Sequence, residues 1–355
     1  MLGQFWRLLN SLVILVLLYF SVTKIKFCGK IISMRDRLLV TANLDFLPSI
    51  KTTLNQEYEL KYINRPSAKV TEKIMKDFAP KYWICNPAPG YTIDKKFLNE
   101  PLTTILTPST GTSHIDFSET NSHNISVYSI GTESKIQEIK ASSEYTFLLL
   151  LSMFRNMKQI VLNKSLDSWR VQEDSLRGYE LYGKTVGIVG FGRNGKNMAK
   201  YCNAFGMKIF FYDPYHTSKN DIGNQCHSLE ELCVKVDALI LTVTSSRETK
   251  NLITSEILDL LKPNSIVINT SRGEVINQRD LIKHVKTGRI YFALDVLADE
   301  ENFRTDSLKL IKMSQTYKNL LITPHVAGLT FDSERKAMLI IMTILSKIRL
   351  TEQLN

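Results

Sequence analysis

Beyond position 34 the chain alternates short apolar runs with amphipathic stretches, and the rhythm of that alternation changes once. Over 34–140, apolar runs at 38–42, 58–63, 81–85, 103–107 and 125–128 read as strands, with helical stretches at 48–55 and 68–78 between them. From 184 the series becomes regular. Strands are predicted at 184–190, 207–212, 237–242, 265–269, 290–294 and 319–322, and helices at 193–205, 229–235, 254–261 and 277–287. Strands alternating with helices predict parallel sheets covered on both faces, so the fold class is α/β, in two α/β domains. Between the two series, 143–157 is apolar almost all round, from Phe147 through Phe154, which predicts a helix buried between layers or between subunits. A last helix at 333–349 is expected to return across both domains. The predicted division is an extension at 1–33, a first domain at 34–140 completed by 326–355, and a second domain at 141–325.

The extension changes the picture least and is the hardest to place. Positions 12–20 are wholly apolar and the character extends loosely over 8–22, short of the roughly 20 residues that cross a bilayer. Arg7 ahead of it suits a signal-peptide core, but no small-residue cleavage site follows. Two readings stand: a membrane contact through 8–22, or a working fold that begins at Met34 with 1–33 as extra translated sequence. The second is preferred.

Composition is that of a globular chain of 355 residues, 44% apolar and 23% charged. The net charge of +10 contains no basic–aromatic interleaving, so no nucleic acid is expected as a partner. The five cysteines, at 28, 85, 202, 226 and 233, form no C-x-x-C pair, which fits reduced thiols in a cytoplasmic protein with neither zinc site nor disulfide framework.

The chemistry concentrates at strand ends. Gly190, Gly192 and Gly195 form a G-x-G-x-x-G turn between an apolar strand and a helix, which lets backbone approach a pyrophosphate at a helix N-terminus. Asp213 ends the next strand, 23 residues beyond Gly190, where a carboxylate can hold both hydroxyls of an adenosine ribose. No arginine follows in Pro214-Tyr215-His216 to receive a 2′-phosphate, so NAD is the expected cofactor rather than NADP. Three further strand ends carry Arg272, Asp295 with Glu300 and Glu301 behind it, and His325. Each has a commonplace reading alone: a surface ion pair, a solvated acidic turn, a structural histidine. A guanidinium is a planar fork for a carboxylate, and an imidazole is the side chain that exchanges protons near neutral pH.

Taken in order, the segments G-I-V-G-F-G-R-N-G, I-N-T-S-R-G-E-V-I-N, A-L-D-V and I-T-P-H-V-A-G resemble the D-isomer-specific 2-hydroxyacid dehydrogenases over about 36–349. The resemblance implies a Rossmann doubly wound parallel sheet inserted into a smaller flavodoxin-like substrate domain. It implies hydride transfer between nicotinamide and C2 of a small 2-keto or 2-hydroxy acid, with no metal. It assigns His325 as the proton carrier, Glu300 as the acid that holds its imidazole, and Arg272 as the cation for the substrate carboxylate. Asp295 takes the nicotinamide carboxamide. Arg193, Asn194, Val243 and Thr270 join the three glycines and Asp213 around the cofactor. The loop Ser109-Thr110-Gly111 grips the substrate carboxylate through its amides, with Thr110 also near the nicotinamide. A homodimer through the interdomain helix and the nucleotide domain is expected. The segment 84–90 has no arginine where phosphoglycerate dehydrogenases place one, which counts against the first alternative, a short-type D-3-phosphoglycerate dehydrogenase. The second alternative, a non-catalytic NAD-sensing corepressor-like protein, has no need to keep Arg272, Glu300 and His325 together.

Overall fold

Which strands lie at the centre of a sheet follows from their burial. In the computed structural model, which describes residues 35–162, 173–216, 222–298, 300 and 305–354, β9 (Ala238–Leu241) and β10 (Ile266–Asn269) are buried at every position. β2 (Glu59–Tyr62) and β5 (Ser126–Ser129) alternate exposed and half-buried residues. Continuous burial belongs to the middle of a parallel sheet and alternation to its edges. The first sheet accordingly runs β2, β1 (Arg37–Val40), β3 (Tyr82–Ile84), β4 (Thr104–Thr107), β5, all parallel. This 2-1-3-4-5 order is flavodoxin-like.

The second sheet runs β12 (Leu320–Ile322), β11 (Tyr291–Leu294), β10, β9, β6 (Thr185–Val189), β7 (Lys208–Tyr212), β8 (Asn224–Gln225), again all parallel. The winding direction reverses between β6 and β9, and ligands of open α/β sheets bind at such a point. Two α/β domains and a Rossmann sheet are therefore present as expected. The two-residue β8 and the helices Phe117–Ser122 and Thr305–Thr316 were not anticipated. The first two are too short for periodicity to register, and the third buries only Ser307, Leu310 and Met313.

The interdomain helix Ala141–Phe154 buries Leu149, Leu150, Met153 and Phe154 against the second sheet and the helix Arg193–Ala204. Its other face is not covered: Leu148 is 52% exposed, so burial all round does not hold in the single chain. The C-terminal helix Phe331–Leu354 belongs to the core of the first sheet, where Ala337, Met338, Ile341 and Leu345 pack with Leu38, Val40 and Tyr82. Its far end is fastened by Glu352, which accepts from Lys81 Nζ at 2.7 Å and Tyr82 Oη at 2.5 Å. The same helix starts just beyond His325, so the last core element of the first domain is also a strut for the cleft. The apolar stretch at 8–22 lies outside the described residues; among those described, no helix is long and apolar enough to cross a membrane.

Ile341 is fully buried in that core. Ile341→Ala is expected to lower stability by about 2–5 kcal/mol, the usual result of emptying a close-packed site. Urea denaturation followed by circular dichroism measures it.

Candidate active site

The glycine turn is shaped by what its residues cannot carry. Gly190 has φ +85°, a left-handed conformation, and a Cβ there would come within 2.8 Å of Val243 Cγ1. A Cβ on Gly195 would lie 2.3 Å from the Gly190 carbonyl oxygen, so the helix Arg193–Ala204 can close on β6 only without it. Gly192, the residue before that helix, has open space on its side-chain face and offers no side-chain cap. Unsatisfied amides at a helix N-terminus beside an open glycine make a cradle for a pyrophosphate, so the turn fits a dinucleotide. Thr242, which sequence reading passed over, braces it by donating from Oγ1 to the Gly190 carbonyl at 2.6 Å. Asp213 is held beside the turn. Its Oδ2 accepts from the Phe191 amide at 2.7 Å and Oδ1 from the Tyr215 amide at 2.9 Å, leaving lone pairs for ribose hydroxyls.

Two residues expected at the cofactor turn their side chains elsewhere. Arg193 donates from Nη1 to the Ile139 carbonyl at 2.5 Å, and Asn194 Oδ1 accepts from Ser143 Oγ at 3.2 Å. Both reach the start of the interdomain helix, and only their amides remain at the helix N-terminus. Burial pushes the Arg193 pKa down. Thr270 likewise meets Thr146 of the interdomain helix, Oγ1 to Oγ1 at 2.6 Å.

Arg272 leaves β10 on a turn that Asn269 fixes from below. Asn269, buried, donates from Nδ2 to the Arg272 carbonyl at 2.8 Å and accepts at Oδ1 from the amide and hydroxyl of Ser271 at 3.0 and 2.8 Å. The guanidinium crosses to the first domain, where a Cβ on Gly111 would lie 1.9 Å from Arg272 Nη2. The next residue, Gly273, is packed as hard on its other side: a Cβ there would lie 1.9 Å from the Leu297 carbonyl carbon. That places the arginine turn directly against the loop that carries Glu300. Gln278 and the buried Ser307 hold this loop, Gln278 Oε1 accepting from the Ala298 amide at 3.0 Å and Ser307 Oγ donating to the Ala298 carbonyl at 2.6 Å.

His325 and Glu300 meet at 2.5 Å, Nδ1 to Oε2, while Glu300 Oε1 accepts from the Leu297 amide at 2.7 Å. The imidazole is half exposed. Its pKa is raised above the usual histidine value, chiefly by the hydrogen bond to Glu300; burial opposes this, Asp295 assists and the Arg272 charge opposes. His325 also has φ +53°, a strained conformation for a non-glycine residue, and Asp295 holds it there. Asp295 is 1% exposed. Its Oδ1 accepts from Thr323 Oγ1 at 2.5 Å and the Val326 amide at 3.0 Å, its Oδ2 from the Ala327 amide at 2.8 Å, and its carbonyl from the His325 amide at 2.9 Å. The acid expected to take the carboxamide is thus also the anchor of the histidine loop.

Across the cleft, Ser109 Oγ donates to the Gly111 carbonyl at 2.7 Å. No protein acceptor among the described residues faces the amides of Thr110, Gly111 and Thr112. The structure therefore brings Arg272, Glu300, His325 and the Ser109–Gly111 loop to one cleft between the two sheets, and Gly190, Gly192, Gly195, Asp213 and Val243 to the switch point of the second. A cation, an imidazole with one free nitrogen and unpaired amides can bind a carboxylate and protonate an oxygen beside it.

Comparison with known proteins gives the same picture. The family model described as D-isomer specific 2-hydroxyacid dehydrogenase, NAD binding domain, matches residues 147–327. The glyoxylate reductase of Pyrococcus furiosus is 33% identical over 251 residues, covering 68% of this chain and 71% of the relative. That of Thermococcus litoralis is 34% identical over 251 residues, covering 68% and 72%. Among solved structures, the D-lactate dehydrogenase from Aquifex aeolicus complexed with NAD and lactic acid is 27% identical, with a TM-score of 0.73 over 88% of this chain and 96% of that one. A D-isomer specific 2-hydroxyacid dehydrogenase from a Polaromonas species, at 21% identity and a TM-score of 0.76 over 89% and 97%, shares the fold.

Gly195→Ala tests the cradle. With no room for a methyl against the Gly190 carbonyl, NADH binding is expected to weaken at least about tenfold, equivalent to about 1.4 kcal/mol, in a fluorescence titration.

Proposed function

The chain belongs to the D-isomer-specific 2-hydroxyacid dehydrogenases, and from that premise we propose that it reduces a small, unphosphorylated 2-keto acid of the glyoxylate type, using Arg272, Glu300 and His325. It is an NAD-dependent oxidoreductase that transfers a hydride between the nicotinamide and C2 of a small 2-hydroxy or 2-keto acid. The observation that carries the residue assignment is the His325–Glu300 contact. It engages Nδ1 and leaves Nε2 free on the half-exposed side of the ring. Glyoxylate is chosen because the relatives named above reduce it by name and because 84–90 offers no cation for a phosphate. Asn86 in that segment closes on itself, accepting from the Ala88 amide at 3.2 Å and donating to the Ala88 carbonyl at 3.1 Å.

NADH, when bound, supplies the hydride that adds to C2. Arg272 and the amides of the Ser109–Gly111 loop hold the carboxylate, so C2 and its keto oxygen are fixed relative to the imidazole. His325 delivers its proton from Nε2 to the keto oxygen as the carbonyl π bond breaks, which leaves a hydroxyl on C2 and a neutral imidazole. Glu300 favours the imidazolium before the step and orients it throughout. The exposed ring then regains a proton from solvent. Oxidation runs the same transfers backwards, with neutral His325 as the base.

We further propose a homodimer on the uncovered side of the interdomain helix. Leu148 and Phe205 are exposed there, beside a shallow apolar hollow of about 320 Å³ lined by Glu144, Phe147, Tyr201, Ala204 and Phe205. The four cysteines among the described residues are buried and form no disulfide, which supports a cytoplasmic setting. Light scattering after size exclusion reads the oligomer, and a monomer would refute it.

Two expectations test the chemistry. His325→Gln should keep NADH binding but lose about 10²–10⁴-fold in turnover, the usual worth of a positioned proton donor; wild-type turnover would reject the role. Glu300→Gln removes the main cause of the raised His325 pKa. The imidazolium is the active form in reduction, so the falling alkaline limb of kcat/KM should move to lower pH, followed by loss of NADH absorbance with glyoxylate.

A further inference from the structure

One buried titratable group in the first domain has no part in the proton transfer. His114 is 2% exposed and lies between the C-terminal ends of β3 and β4. Its Nε2 is 3.3 Å from Thr107 Oγ1 and 3.6 Å from Cys85 Sγ. Thr107, fully buried, is in turn 2.9 Å from Ser109 Oγ, and Ser109 Oγ donates to the Gly111 carbonyl. The protons along this line can be assigned. Ser109 has one hydroxyl proton, and it is committed to the Gly111 carbonyl. Thr107 must therefore donate to Ser109. With the Thr107 proton spent, Nε2 of His114 must carry the hydrogen that Thr107 accepts. Burial, with the Arg272 charge assisting, pushes the His114 pKa down to about 4, so the ring is neutral near pH 7 and has a single proton to place.

The far end of the line is the substrate loop. A carbonyl and the amide that follows it point in opposite directions across one planar peptide. Drawing the Gly111 carbonyl towards Ser109 turns the Thr112 amide the other way, and that amide has no protein acceptor among the described residues. Gly111 is also the residue against which Arg272 lies. We propose that His114 is a positioning residue for the substrate carboxylate: acting through Thr107 and Ser109, it sets the peptide at Gly111 so that a loop amide and Arg272 converge on one anion. This rests on the 2-keto acid reading above and adds a residue that touches neither substrate nor cofactor.

Glutamine can place an N–H donor where Nε2 of histidine stands, and leucine fills the same volume without one. His114→Leu should raise KM for glyoxylate about tenfold, leave kcat within about threefold and leave NADH binding unchanged. His114→Gln should return KM to within about twofold of wild type. Thr107→Val, which cuts the relay while keeping His114, should reproduce the leucine effect and provides the test should His114→Leu fail to fold. Binding of oxamate to the NADH complex, read by fluorescence, should weaken in step with KM. An unchanged KM in His114→Leu or Thr107→Val, or an equal rise in the leucine and glutamine variants, overturns the relay. Wild-type protein that neither reduces 2-keto acids nor binds oxamate with NADH overturns the substrate reading, and the relay with it.

Discussion

The cleft depends on one contact, the guanidinium of Arg272 lying against the bare Cα of Gly111. It joins the two domains at the point where we propose that the substrate carboxylate is held. A side chain of any size at 111 would displace the cation. The same turn is fixed from behind by Gly273, which lets it press on Leu297 and Ala298, and those residues begin the loop of Glu300. From the first domain to the acid partner of His325 the path is therefore backbone and short side chains in contact, with little slack. Such packing is how a fold holds reacting groups to within fractions of an ångström.

Electrostatics sets a second demand. Arg272 and a protonated His325 repel each other, and the influence of Arg272 on the His325 pKa shows that they are close enough to feel it. Two acids offset this. Glu300 bonds the imidazole directly, and Asp295 lies beneath the loop with its carboxylate occupied by three donors. The net result raises the His325 pKa even with the guanidinium close by. His114, also near Arg272, is buried with no acid bonded to it, and burial, with the Arg272 charge assisting, drives it to the neutral form. One cation thus lies near two histidines whose pKa values move in opposite directions, one raised by its bond to Glu300 and the other lowered by burial.

Much of this was legible in the chain. The G-x-G-x-x-G turn, Asp213, Arg272, Glu300 and His325 stand at strand ends of a regular βαβ series, and the structure gathers the last three with the Ser109–Gly111 loop. Backbone demands on glycine and strand-end chemistry leave marks in sequence because few residue types satisfy them. What could not be read is the bracing. Asn269, Thr242, Thr323, Ser307 and Gln278 are ordinary polar residues whose partners lie up to 53 positions away, as Thr242 does from Val189. Nothing in composition or spacing separates a buried Asn clamping a turn from an Asn in solvent. The side-chain partners of Arg193 and Asn194 could not be read for the same reason: the glycine motif fixes where their amides go and says nothing about their rotamers.

Those two side chains also show how the cofactor cradle and the domain crossover are built as one unit. Arg193 bonds Ile139 and Asn194 bonds Ser143, while Asn197, one turn further along the same helix, bonds both Ser143 and Lys140. Every partner lies within 139–143, the stretch that carries the chain from the first domain into the second. The helix whose N-terminus fits a pyrophosphate therefore grips the crossover with its first two turns. A dinucleotide seated at that N-terminus would rest on the same helix turns whose side chains fix the segment joining the two domains.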